Sequence, residues 1–227
     1  MKKKTLLLSL TAVIIVAALA IGGTLAYFTD NDTAENSFTV GDVSIKLYEH
    51  VVNQTSDTFG QAVWTTDNDN TTDGNTYSNI FPGAVLPKDP TIENDGSNPA
   101  YVRMKVTISN ASAWKAAIPS GTDLTTIFIG FIDGEWTRSN IIDHSSNPSI
   151  NTITYIYEYN YILPINTTIS PLFTSIKIPT GLSNQQMADI SGTDGFKMNI
   201  VAEAIQSEGF DTSAAAFTAL EAKYPSV

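Results

Sequence analysis

The sequence contains no cysteine. Disulfides, thiolate metal sites and a thiol nucleophile are excluded at once, so the fold has to be held by packing and hydrogen bonding. Histidine is almost as scarce, with His50 and His144 alone in the chain. A catalytic zinc site draws one or two imidazoles into a three-ligand set, most recognisably from a helical His-Glu-x-x-His, and neither histidine has a second one nearby. Glu49-His50 or Asp143-His144 would supply ligands only if the fold brought the two pairs together; two ordinary surface histidines are the expectation. No Gly-x-Ser-x-Gly turn offers a serine nucleophile. Positive charge is short too: 12 Lys and Arg stand against 23 Asp and Glu, for a net charge of −11. That balance argues against nucleic acid and anionic lipid as partners and favours solubility or cation binding.

Three of the few lysines stand together, Lys2, Lys3 and Lys4, ahead of an apolar run from Leu6 to Ile21 and the small-residue site Thr24-x-Ala26. A basic start, an apolar core and such a site are the three parts of an export signal, with the cut expected after Ala26 and before Tyr27. An uncleaved anchor is the alternative, because Thr5 to Ile21 approaches the ~18 apolar residues of a spanning helix. The helix-disfavouring Gly22-Gly23 before the small-residue site favours cleavage. Residues 1–26 therefore read as a signal peptide and 27–227 as one exported domain, large enough for a substantial core.

Strand patterns dominate that domain. Val43, Ile45 and Leu47 alternate with polar neighbours, and Val102, Met104, Val106 and Ile108 share one face of a strand whose other face carries Tyr101, Arg103, Lys105 and Thr107. Further strands are expected at 126–132, 152–161, 172–178 and 196–205, with turns at Phe81-Pro82-Gly83 and Asn94-Asp95-Gly96. Two helices are expected: 111–118, and an Ala-rich one at 213–223 capped by Asp211 or Thr212. Many strands without helices between them exclude a doubly wound sheet and predict an all-β fold, a two-sheet β-sandwich with short appended helices. Residues 53–79 are polar and read as an exposed loop.

Three patterns invite a function. Asp69, Thr71 and Asp73-Gly74 fit the opening of an EF-hand loop, but the twelfth position is Ile80 in place of the bidentate Glu. A calcium site of another kind, from Asp67, Asp69 and Asp73, is the weaker alternative to a solvated loop, and no other cofactor is expected. Tyr155, Tyr157, Tyr159 and Tyr161 recur at period two behind Ile153, a ladder suited either to gripping carbohydrate or a neighbouring subunit, or to packing beneath loops. The third pattern is the segment freed by the cut: Tyr27-Phe28, polar residues to Ser37, then Phe38-Thr39-Val40. Such a piece is expected either to be a flexible tail to residue 37, with Phe38 onward an intramolecular strand, or to add as a donor strand to a neighbour's open sheet edge. Head-to-tail addition does not close, so the second case makes a filament.

Several blocks resemble the TasA/camelysin family of exported Gram-positive proteins, which includes biofilm-matrix fibre subunits. They are Gly22-Gly23-Thr24-Leu25-Ala26-Tyr27-Phe28-Thr29-Asp30, the run from Asn36 to Leu47, Pro82-Gly83, the run from Pro90 to Val106, the tyrosine-rich strand into Pro171-Leu172-Phe173, and the run from Ala202 to Phe210. Residues 53–79 and 133–151 do not align with the family pattern. The resemblance implies a jelly-roll sandwich, processing by an endoplasmic-reticulum-type signal peptidase as partner, and residence in the extracellular matrix or on the cell surface of a Gram-positive bacterium. It also implies self-association or association with related matrix subunits. A structural fibre protein without catalytic activity is the expectation; a camelysin-type metallopeptidase and a monomeric surface adhesin are the alternatives. Leu163-Pro164-Ile165-Asn166-Thr167 is internal and lacks the wall-sorting pattern, so retention is expected to come from assembly.

Overall fold

The strand with the clearest alternation, β9 (Ala100–Ser109), becomes the middle of the molecule. Its Val102, Met104, Val106 and Ile108 are completely buried, each contributing roughly 1.5–3 kcal/mol of transfer free energy. The computed structural model describes residues 29–33, 36–39, 43–53, 63–64, 69–77, 80–193 and 195–224. On one side β9 pairs with β12 (Thr152–Tyr159), which carries the edge strand β11 (Trp136–Asp143). On the other it pairs with β15 (Met198–Gln206), then β1 (Thr29–Thr33), then β2 (Asn36–Thr39). The six-stranded sheet is thus ordered β11-β12-β9-β15-β1-β2, with every neighbouring pair antiparallel.

Smaller sheets supply the second layer. One is β13 (Thr167–Thr168), β8 (Thr91–Asn94), β3 (Ile45–His50) and β6 (Asn70–Thr71) in that order. Another is β10 (Phe128–Ile129), β14 (Ser175–Lys177) and β7 (Val85–Pro87), and β4 (Val52–Asn53) pairs with β5 (Val63–Trp64). A single apolar core joins Val102, Met104 and Ile200 of the large sheet to Ile45, Leu47, Ile92, Leu86 and Ile176 of the small ones. This is the all-β sandwich that the alternation predicts.

Among the described residues three helices decorate it: α1 (Ala111–Ala117), α2 (Asn184–Ser191) and α3 (Ser213–Lys223). The Thr212 hydroxyl caps α3 by accepting from the Ala215 N–H, so of the two expected caps Thr212 is the one used. The expected strand at 126–132 is shorter and begins differently. Asp123 accepts from the Thr125 N–H at 3.0 Å and winds Leu124–Ile127 into a 3-10 turn, leaving Phe128–Ile129 as strand. The unaligned region 133–151 contains β11, and α2 lies where the sequence patterns predict no helix.

The outer face of the large sheet is closed by α3. Arg103 is buried there, with Nε 2.5 Å from Glu203 Oε2, Nη1 2.7 Å from Glu221 Oε1, and its guanidinium 4.3 Å from the centroid of the Phe217 ring. Lys105 Nζ reaches the other oxygen of Glu203 at 2.6 Å. Both charged partners of this sheet face are satisfied, as burial demands. The Pro90–Val106 and Ala202–Phe210 blocks that carry the family resemblance therefore meet in space, at a register that sets Arg103 opposite Glu203.

Candidate functional site

The segment beyond the expected cleavage point has partners of its own. From residue 29 the backbone enters β1, whose register on β15 runs from Thr29 opposite Ile205 to Thr33 opposite Val201. The chain then turns back, and β2 pairs with β1 from Asn36 opposite Thr33 to Thr39 opposite Asp30, placing Phe38 opposite Asn31. Of the two expectations for this stretch, a flexible tail to residue 37 or a strand added to a sheet edge, residues 29–33 take the strand form, here on the edge of their own chain's sheet. Main-chain hydrogen bonding along β15 makes even a polar sequence extended, because the donors and acceptors of a sheet edge are satisfied by any strand that reaches them. Thr24, Ala26, Tyr27, Phe28 and Val40 lie outside the described residues, as do the signal segment and Asp67.

The attachment of this hairpin differs from that of the other elements in its chemistry. β1 reads Thr-Asp-Asn-Asp-Thr and contains no apolar side chain. Its pairing on β15 is therefore a matter of ladder hydrogen bonds, each with a net worth of about 0.5–1.5 kcal/mol, and owes little to hydrophobic transfer. β15 itself is anchored from both faces, by Ile200, Ala202 and Ala204 in the main core and by Ile205 in a second cluster with Tyr101, Ala216, Phe217 and Leu220. A firm strand thus offers an edge to a polar strand. Among the described residues β2 is the last strand of the sheet on this side, and β11 is the last on the other.

The tyrosine ladder is mostly internal. Tyr155 and Tyr157 are 2% and 3% exposed, register with Val106 and Met104 on β9, and belong to the main core. Both rings lie in the core, and Tyr157 reaches the lining of a cleft at its edge. The sandwich turns the apolar side of β12 inward, and with it the rings at period two. Burial raises the phenol pKa of Tyr155, and pushes that of Tyr157 up to about 12, against the nearby Arg138 guanidinium, which favours the phenolate. Tyr159 is half-buried and meets Trp136 at a ring separation of 5.3 Å, and Tyr161, beyond the strand end, is 58% exposed and edge-on to Tyr159. Only the last two rungs reach the surface.

His50 and His144 fall in different settings. The imidazole of His50 pairs through Nδ1 with Asp89, whose other carboxylate oxygen accepts the His50 backbone N–H at 3.0 Å. Beside it the buried ammonium of Lys88 pairs with Glu49, and Asn75 donates to Glu49 and to the His50 carbonyl. This network ties the end of β3 to the chain before β8, and sequence reading missed it because its members lie 39 residues apart. Burial, with Glu49 and Asp89 adding to it, raises the phenol pKa of Tyr77, which donates to the Pro87 carbonyl. His144 is exposed, and its backbone N–H closes the turn onto Thr152 at 2.9 Å.

The acidic loop does not take an EF-hand path. Thr71 is committed to β6 opposite Glu49, the Asp69 carbonyl accepts from the Val51 N–H at 2.7 Å, and Asp69 and Asp73 are exposed. Among the described residues no three His, Asp or Glu side chains converge to metal-binding spacing. Nor, among them, is any helix long and apolar enough to cross a membrane.

Comparison with known proteins gives a local match. The family model of the camelysin metallo-endopeptidases matches residues 1–63, which span the expected leader, the β1–β2 hairpin, β3 and β4. No curated protein and no solved structure matches the chain. The matched region holds both the expected cleavage site and the hairpin that docks on β15. Over its first 63 residues this chain is thus similar to the camelysin family, in the stretch that holds the blocks Gly22 to Asp30 and Asn36 to Leu47.

Proposed function

We propose that the protein is a secreted structural subunit of the extracellular matrix or cell surface, assembling head to tail by exchange of its N-terminal hairpin. The observation that carries this reading is the docking of β1 on β15 through main-chain pairing by a strand without one apolar residue. The same ladder of hydrogen bonds forms whether β1 comes from its own chain or from a neighbour, so exchange between copies is close to neutral in enthalpy. The swap costs orientational freedom and leaves one β15 edge unfilled at the end of an open chain, a deficit that shrinks per copy as the chain lengthens. Camelysin-family proteins are secreted or cell-surface proteins, in keeping with the leader.

Signal cleavage is part of this proposal. Until the peptidase cuts after Ala26, residue 29 lies three residues from an apolar leader, and β1 is not free to reach another molecule. Cutting would couple export to assembly. Protein beginning at Tyr27 is expected to form long oligomers in electron microscopy and light scattering, and protein beginning at Phe38, which lacks β1, to form none. Equal polymerisation of the two ends the strand-exchange reading.

The reading assigns no catalysis to the chain. The histidine nearest to acidic residues, His50, already has its ring engaged by Asp89, and Glu49 is engaged by Lys88. The peptidase alternative would be restored by casein cleavage that is lost with a chelator and lost again in His50→Ala or His144→Ala.

A further inference from the structure

Beneath the β11 edge the sandwich is open. A cleft of about 490 Å³ lies between the start of β11, the end of β12 and the segment from Asp123 to Asp133. Its volume is within the range of small-ligand sites, about 300–1,000 Å³. Its aromatic lining is Phe128, Trp136 and Tyr157, each at most 7% exposed, with Phe131 as the ring open to a ligand. Phe131 is the half-buried member, tilted 49° against Tyr157 at a ring separation of 5.3 Å, while Phe128 stacks on Phe173 at 4.6 Å and is thereby fixed. The rim is polar and holds both kinds of hydrogen-bonding group. Arg138 Nη1 lies 2.5 Å from Asp123 Oδ2, half-exposed on both sides, with the Thr125 and Thr137 hydroxyls alongside. The Asp133 carboxylate has no ion pair among the described residues and is exposed.

We propose that this cleft binds a short stretch of neutral polysaccharide. Sugar rings present apolar C–H faces, which aromatic walls accept, and a periphery of hydroxyls that each donate and accept, which a rim of carboxylates, hydroxyls and a guanidinium satisfies. The charge selects among glycans. Two carboxylates against one guanidinium at the rim, in a chain of net charge −11, repel uronic acids and phosphate-bearing polymers. A dry peptide anchor is a poorer fit, because it would strip water from Asp133 and from the Arg138–Asp123 pair without replacing their hydrogen bonds. The site lies at the opposite edge of the sheet from β1, so a subunit already joined to its neighbour still presents it. Glycan binding there would attach a fibre to surrounding matrix polymer.

The reporter is built in. The Trp136 indole N–H is buried with no hydrogen-bond acceptor among the described residues, and its NMR resonance is expected to be sensitive to any ligand on the cleft wall. Secreted protein is titrated with cellohexaose, laminarihexaose and the hexamer of N-acetylglucosamine, with hexagalacturonate as the anionic probe, each to 10 mM. The proposal expects at least one neutral hexamer to shift the Trp136 indole resonance saturably. It expects affinity about tenfold weaker in Phe131→Ala and reduced in Asp133→Asn, with thermal unfolding of Asp133→Asn unchanged. Silence of Trp136 with all three neutral hexamers overturns it, as does a shift that persists undiminished in both variants, or tighter binding of the galacturonate. Polymerisation of the Phe131→Ala protein is expected to proceed as before, which keeps failure of this proposal distinct from failure of strand exchange.

Discussion

The two edges of the large sheet are built on opposite principles. β11 is held by side chains: Trp136 is 3% exposed in the main core, and the register on β12 continues for seven residue pairs with a bulge between Arg138 and Asn140. Beyond Trp136 every residue of β11 is exposed, including Ile141 and Ile142, yet the bulge twists the strand and breaks the flat row of donors that another strand would need. The β1–β2 edge has the reverse design. It is unbulged in its pairing and polar in β1, and it is attached by backbone. A strand nailed down by an indole cannot be exchanged at low cost, whereas one held by ladder hydrogen bonds can be. The difference marks β1–β2 as the movable edge and β11 as the fixed one.

Substitutions sharpen that contrast. Trp136→Ala is expected to cost about 3–5 kcal/mol in denaturant unfolding, because it removes the anchor of β11 and leaves a void against Tyr159. Glu203→Gln, which leaves Arg103 buried with one charged partner fewer, is expected to cost about 3 kcal/mol and to loosen α3 without affecting β1. Asn31→Ala at the centre of β1 is expected to cost less than about 1 kcal/mol. A Trp136→Ala effect as small as that of Asn31→Ala would erase the distinction between the edges.

Titration gives smaller effects. The Tyr157 phenol, held neutral by burial with a pKa near 12, binds its proton more tightly in the folded state than in the unfolded chain. Its contribution to stability is therefore complete below pH 10 and falls as pH rises from about 10 towards 12. Thermal unfolding on that ramp is expected to drop together with the appearance of tyrosinate absorbance at 295 nm; a tyrosinate signal from the β12 rings well before unfolding would contradict their core placement. At the other end of β11, the ammonium of Lys115 beside Asp143 lowers the carboxyl pKa to about 2, with the Ser145 hydroxyl also donating to it. Stability from this pair is present above pH 4 and lost as pH falls towards 2. Both groups are well exposed, so Lys115→Ala is expected to cost no more than about 1 kcal/mol at neutral pH.

How much of this the sequence discloses varies with the kind of burial. β9 and β15 are legible because one face is buried and alternation follows from the pleat. β11 is not, since an edge strand wet on both faces beyond Trp136, Thr-Arg-Ser-Asn-Ile-Ile-Asp, has no alternation to find. α2 had a usable signal in Ser183-x-x-Gln186, a reciprocal capping box in the structure. The tyrosine ladder illustrates the limit of period two, which places four rings on one side without saying whether that side faces core or solvent. For the N-terminal segment, the sequence leaves a tail and an added strand both open, and only the spatial order of the strands places it on β15. The cleft is legible at no single position, as its walls come from residues 123–138 and Tyr157.

Strand exchange can be locked by a single covalent bond. The chain has no cysteine, so Thr33→Cys with Val201→Cys, at directly opposed positions of β1 and β15, creates a unique cross-strand pair. Sizing the oligomers of this variant before and after reduction tests the central claim. Oxidised as an isolated monomer, the hairpin is fastened to its own sheet, and the protein is expected to stay monomeric and then to polymerise on reduction. Fibres of the same length from the oxidised monomer would contradict the account.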